Sequence, residues 1–246
     1  MCRWGFKAEN IVLLTDDNSN PKNQPTKQNM IDAMKWLVKG ACPHDSLFFH
    51  YSCVGHGSRQ EDLDGDELDG YDETILPVDY KKRGVIIDDL LHSTMVKPLP
   101  AGCRLTALFD SCHSGTVLDL PYVYTPSGRL KGIHVSSRAL QRKASRADVE
   151  ISWSGCQDDQ TSAGKDGTQV GLTVMGTELF VWTDTFQDGV AVGAMSYAFI
   201  SSLRKNPEQS YQGLLRSVRE IVGEKFKQTP QLGSSHEIDT KLRFVI

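Results

Sequence analysis

The sequence predicts an α/β fold with a mostly parallel sheet covered on both faces by helices. Three observations carry that expectation. Short core-type apolar runs alternate with segments of helical period along most of the chain. Two of the runs, "SLFFHYS" and "RLTALFD", are separated by a helical stretch, so they form a β-α-β crossover and run parallel. Each of these strands ends in a small-residue turn carrying polar groups rather than in a hairpin.

In chain order, "NIVLLTDD" reads as a short buried strand. A helix follows in "PTKQNMIDAMKWLVKG": Thr26 is its N-cap, Met30, Ile31, Met34, Leu37 and Val38 recur at helical spacing, and Gly40 stands where it stops. After "SLFFHYS" comes an acidic loop from Glu61 to Asp79. "VIIDDLLHSTMVKPL" is the crossover helix, stopped by Pro98, and "RLTALFD" is the third strand. From Thr125 to Arg146 the chain turns basic and rich in small residues, as an exposed linker does. Beyond it, "VEISWSG" is a strand, "GAMSYAFISSLRK" and "SYQGLLRSVREIVGEKFK" are amphipathic helices, and "KLRFVI" is a terminal strand.

Composition narrows the function classes. With 39% hydrophobic and 24% charged residues among 246, this is ordinary globular material. A net charge of -4 argues against a nucleic-acid or anionic-membrane binder. No run approaches the roughly 20 apolar residues that span a bilayer, and the N-terminus has no signal-peptide core. The six scattered cysteines then read as reduced thiols of a cytoplasmic, or also nuclear, protein.

The chemistry lies in the two turns. "CVGHGS" sets His56 between glycines, and "DSCHSG" presents Cys112. Parallel strands put both turns on the edge of the sheet where open α/β folds keep their sites. An imidazole beside a thiol takes its proton during attack and later returns it to a leaving amine. Backbone N–H groups at Gly57 and Cys112 suit an oxyanion. Acyl transfer, most simply peptide hydrolysis, is the reaction class. A zinc site from Cys42, His44, His50, Cys53 and His56 is disfavoured, because His50 to Cys53 lies on or at the end of a strand.

Together "HYS", "GHGS", "DLDGDELDGYDETILPVDY", "IIDDLL", "RLTALFDSCHSGTVLDLPY" and "GAMSYAFI" resemble a type I metacaspase of the fungal kind, over nearly the whole chain. The resemblance implies a caspase-like three-layer α-β-α sandwich and a calcium-assisted cysteine endopeptidase cutting protein or peptide substrates after Arg or Lys. It makes His56 and Cys112 the catalytic dyad and Asp110 an acidic wall of the S1 pocket, with Ser52 nearby. The same resemblance implies that Trp153 and Asp158 border the substrate cleft. It also assigns Ca²⁺ to Asp72, Asp88, Asp89 and Asp119, whereas "DLDGDELDGYDE" by itself fails the EF-hand register. Self-cleavage in the basic linker, at Arg129, Lys131, Arg138, Arg142, Lys143 or Arg146, and action as a monomer complete the expectation.

The chain divides accordingly into residues 1–124, resembling a large subunit, a linker over 125–147, and residues 148–246, resembling a small subunit. It departs from the family in three places. The family's first strand, source of a second acidic S1 residue, is missing. Cys53 and Val54 are added before Gly55. Residues 164–183, "GKDGTQVGLTVMGTELFVWT", have no counterpart. A missed start with retained intron sequence accounts for all three; the structural alternative is a hairpin added beside the cleft. The departures also leave open a catalytically silent relative acting as a calcium-responsive interaction protein.

Overall fold

The computed structural model describes residues 6–53, 58–63, 70–111, 117–125, 127–133, 145, 147, 149–154, 170–175, 194–226 and 229–246. Its first elements follow the periodicity closely. β1 (Ile11–Thr15) leads to α1 (Lys27–Val38), whose inward face is Met30, Ala33, Met34 and Leu37. Thr26 caps it, accepting the Asn29 N–H at 3.3 Å, and Asp79 Oδ1 takes the Lys27 N–H at 2.8 Å. Two of the helix's orphan donors are thereby satisfied. Gly40 turns away with φ 77°, a conformation that favours glycine.

β2 (Ser46–Cys53) and β6 (Arg104–Asp110) form the centre of the sheet, parallel and in register from Ser46 opposite Arg104 to Ser52 opposite Asp110. β9 (Val149–Ser154) continues the parallel run on the far side of β6. Burial on both faces explains why these strands are apolar throughout. Leu47, Phe49 and Tyr51 of β2, with Leu105, Ala107 and Phe109 of β6, pack with α1 residues on one face. Phe48 and Leu108 pack on the other face with residues of α4 (Ala194–Lys205) and α5 (Tyr211–Phe226). The result is a three-layer α-β-α sandwich.

Around this centre, β11 (Gln231–Ser234) pairs antiparallel with β9 and with β7 (Tyr122–Tyr124), and β8 (Leu130–Ile133) closes that side. Leu130–Ile133 thus belongs to the sheet although it lies in the stretch expected to be exposed linker. It pairs back on β7 through a turn in which Thr125 N–H donates to Arg129 O at 2.8 Å. On the opposite side, β10 (Val170–Met175) lies between β1 and β2, antiparallel to both. Part of the unmatched segment 164–183 is therefore a strand inside the main sheet, and not a hairpin beside the cleft. Strands from before and after the linker share this one sheet.

Three more expectations are corrected. The acidic stretch Glu61–Asp79 contains strand: β3 (Ser58–Glu61) pairs with β4 (Tyr71–Ile75), and β4 with the short β5 (Ile86–Ile87), with the one-turn α2 (Tyr80–Arg83) between them, while residues 64–69 lie outside the described residues. The crossover helix begins later than Val85, because Ile86 and Ile87 are taken by that small sheet. It runs as α3 (Asp88–Leu91), then as a π-turn over His92–Val96. Finally, "KLRFVI" is not a strand. Phe244 drops into an aromatic cluster with Trp153, Phe199 and Tyr211 at centroid distances of 5.6, 5.8 and 5.4 Å, and a strand's alternation is lost to that anchor. Among the described residues no helix is long and apolar enough to cross a membrane.

Candidate active site

The register of β2 on β6 decides what meets at the edge. Ser52 lies opposite Asp110, Cys112 follows Asp110 by two residues and His56 follows Ser52 by four. Neighbouring parallel strands therefore release the segments bearing both chemical groups at one place. His56, Gly57, Cys112 and Asp158 themselves lie outside the described residues, as does the stretch 134–144 of the basic linker.

Asp110 is the best-defined polar group there. It is buried, 1% exposed, and its Oδ2 accepts the Ser196 N–H at 2.7 Å. Burial pushes its carboxyl upward in pKa; backbone and hydroxyl donors at Ser196 and the Met195 N–H oppose this. Its Oδ1 has no hydrogen-bond partner among the described residues. Ser196 Oγ lies 2.9 Å from His50 Nε2. Burial lowers the His50 pKa to about 4, so the ring is neutral at pH 7. Ser52 is partly exposed on the same face as His50 and Asp110.

Trp153 is corrected. It is 0% exposed and packs edge-on against Phe199 at 5.3 Å, because its register opposite Leu108 turns it toward α4 and α5. It is a core residue with no face for a substrate. Sequence proximity to the cleft strand suggested otherwise; strand parity decides.

A second polar cluster adjoins this edge. Asp72 and Glu73 come from β4, Asp88 and Asp89 from the start of α3, and Asp119 from the loop after β6, at φ 51°. Asp88 accepts the Asp89 N–H at 2.8 Å on one oxygen and the Glu73 N–H on the other. Burial first, then the charges of Asp119, Glu73 and Asp72, push its pKa up to about 10. Glu73, 1% exposed, is a member the sequence reading missed, and nothing in its spacing marks it. The donors are hard carboxylate oxygens, the chemistry Ca²⁺ takes. Among the described residues no three His, Cys, Asp or Glu side chains converge as a metal-holding group.

The raised Asp88 pKa fixes a pH dependence. The folded state holds a proton that the unfolded state releases above about pH 4, so this contribution to stability is full below that pH. It is lost as pH rises through the folded value of about 10. Asp88→Asn, which mimics the protonated acid, removes that slope. In chelator at pH 8 its melting midpoint is expected at least about 3 °C above wild type, by calorimetry. Equal midpoints at pH 8 would show that Asp88 is ionised without penalty.

Comparison with known proteins adds the following. The family description "Metacaspase, peptidase C14 domain" matches residues 1–121. Metacaspase-1 of Cryptococcus neoformans (strain JEC21) is 46% identical over 284 residues, covering 99% of this chain and 57% of its own length. Metacaspase-1A of Aspergillus fumigatus is 46% identical over 283, covering 99% and 63%. Metacaspase-1 of Schizosaccharomyces pombe is 46% identical over 286, covering 99% and 62%. The chain thus spans roughly three-fifths of the length of these relatives. Among solved structures, protein GSU0716 from Geobacter sulfurreducens superposes with TM-score 0.55 at 23% identity, over 91% of this chain and 79% of that one. That likeness speaks for the fold.

Proposed function

The chain belongs to the metacaspase family of C14 peptidases, and from that premise we propose that it is a cysteine endopeptidase cleaving after Arg or Lys with calcium assistance. One observation carries the reading: the parallel register that sets Ser52 opposite Asp110 and so brings the segments of His56 and Cys112 to one edge. The names of its relatives support the peptidase class.

In this mechanism the Cys112 thiol attacks the scissile carbonyl carbon, its proton passing to the His56 imidazole. The Gly57 and Cys112 N–H groups stabilise the oxyanion. His56 then gives the proton to the leaving amine, and water resolves the thioester with His56 as base. Asp110 selects the P1 side chain. A buried carboxylate accepts a guanidinium or ammonium and rejects an aspartate by repulsion. Asp72, Asp88, Asp89 and Asp119 would hold Ca²⁺, which supplies the positive charge that lets this buried cluster ionise. Asp119 follows Cys112 by seven residues and Asp72 lies in the strand paired with the one that follows His56, so their ionisation state bears on the order of both loops. Self-processing, part of the same reading, falls on basic residues of the linker. Arg129 is a poor site, since the turn into β8 already holds its backbone, whereas Lys131 falls at the irregularity of the β7–β8 pairing.

The test is hydrolysis of fluorogenic peptides differing only at P1, in chelated buffer titrated with calcium. The expected result is calcium-dependent cleavage of Arg and Lys peptides, with the Asp peptide at least about a hundredfold slower. Comparable rates on Asp, or silence on all three at saturating calcium, would overturn the proposal.

A further inference from the structure

Asp110 is held in an unusual way. Its partner Ser196 lies 86 positions further on, in the first turn of α4, and gives it more than one donor. The backbone N–H reaches Oδ2 at 2.7 Å, and the Ser196 hydroxyl draws the carboxyl's pKa down against the effect of burial. With its O–H directed to Asp110, Ser196 Oγ is left to accept, and His50 Nε2 stands 2.9 Å from it. The donor order that satisfies this chain is His50 Nε2–H to Ser196 Oγ, then Ser196 O–H to the Asp110 carboxylate. All three groups are buried, at 7%, 1% and 1% exposure.

By accepting the Ser196 N–H, Asp110 also caps α4 from a distance, as Asp79 caps α1. Here one oxygen is clamped from a distant strand end, while buried Oδ1 has no hydrogen-bond partner among the described residues. A buried acceptor that no described residue uses is a place for an incoming donor. We propose that Ser196 and His50 are positioning residues: they fix the Asp110 carboxylate by Oδ2 so that Oδ1 faces the cationic P1 side chain. The inference rests on the peptidase reading for the substrate, and on the geometry above for the clamp.

The clamp acts on ground-state recognition of the P1 side chain and takes no part in the thiol's attack. Ser196→Ala removes the hydroxyl donor and keeps the backbone N–H; Ser196→Thr retains both. His50→Gln keeps a side-chain N–H donor, and His50→Leu does not. Two readouts separate the roles: kcat and KM on an Arg-P1 peptide, and calorimetric affinity of the Cys112→Ala protein for a product peptide ending in Arg. The Ser196→Ala substitution is expected to raise KM and to weaken product binding about tenfold, with kcat changed less than about threefold. Thr restores binding, and Gln at 50 binds better than Leu. The rate of Cys112 alkylation by iodoacetamide stays at the wild-type value.

An unchanged KM, a fall confined to kcat, or a loss that Thr does not repair would overturn the clamp. Should the wild type hydrolyse nothing while the Cys112→Ala protein binds the Arg-terminated peptide and Ser196→Ala weakens it, the clamp stands and the peptidase reading fails. No binding of that peptide to the Cys112→Ala protein would overturn the clamp itself.

Discussion

Thr173→Pro is expected to unfold the domain, or to lower its melting midpoint by more than about 10 °C. Thr173 is at the middle of β10, opposite Leu13 of β1 on one side and His50 of β2 on the other. Proline there removes a ladder donor and forces its ring into a strand flanked on both sides. The consequence is not local. β10 bridges Ile11–Thr15 to Phe48–Cys53, and without it two strand edges face each other across a gap too wide for direct pairing. Each buried backbone group left unpaired costs about 1–3 kcal/mol, so a few exceed the whole stability of an ordinary domain. Deleting 164–183 should do the same. A midpoint unchanged or raised by the deletion would show that these residues are extraneous sequence with no place in the sheet. Hydrogen exchange offers a second check: the amides of β1 and β2 that face β10 should lose protection together.

Cys112→Ala is expected to abolish peptide hydrolysis, by roughly a thousandfold or more, without moving the melting midpoint. In the proposed mechanism the Cys112 thiolate forms the acyl-enzyme, and its loss leaves binding and oxyanion donors with nothing to act on. His56→Ala should cost nearly as much, because the thiol then lacks its proton acceptor. The double variant should be scarcely worse than either, since two residues acting as a unit are not additive. A Cys112→Ala protein that keeps a tenth of the wild-type rate would place the nucleophile elsewhere.

Much of this was legible in the residues. The helix α1 declares itself through Thr26 and a stripe ending at Leu37, and β2, β6 and α4 through apolar runs of the right length. The meeting of the Ser52 and Asp110 strand ends follows from one inference, that a helix between two buried strands makes them parallel. What stayed hidden depends on long-range partners. β10 looks like an interruption because nothing local in "VGLTVM" says that β1 and β2 leave a slot for it. Phe244 sits in a stretch with strand alternation, and only the cluster around Trp153 explains why it forms none. Trp153 is buried on the core face, and sequence distance from the cleft carries no information on which face a side chain takes. The Asp110–Ser196–His50 chain and the Asp88 cluster likewise join segments that no spacing rule connects. For the cluster, family resemblance supplied four aspartates, and burial added Glu73.

The central claim, a nucleophilic Cys112 behind a carboxylate that reads a cationic P1, is tested most directly by covalent labelling. The protein, with calcium, is treated with a peptidyl chloromethyl ketone ending in Arg and with its Asp-terminated counterpart, then mapped by mass spectrometry. The account predicts a single adduct on Cys112 from the Arg reagent, slowed by Asp110→Asn and by chelator, and little from the Asp reagent. Adducts spread over Cys42 and the other cysteines, or equal labelling by both reagents, would contradict it.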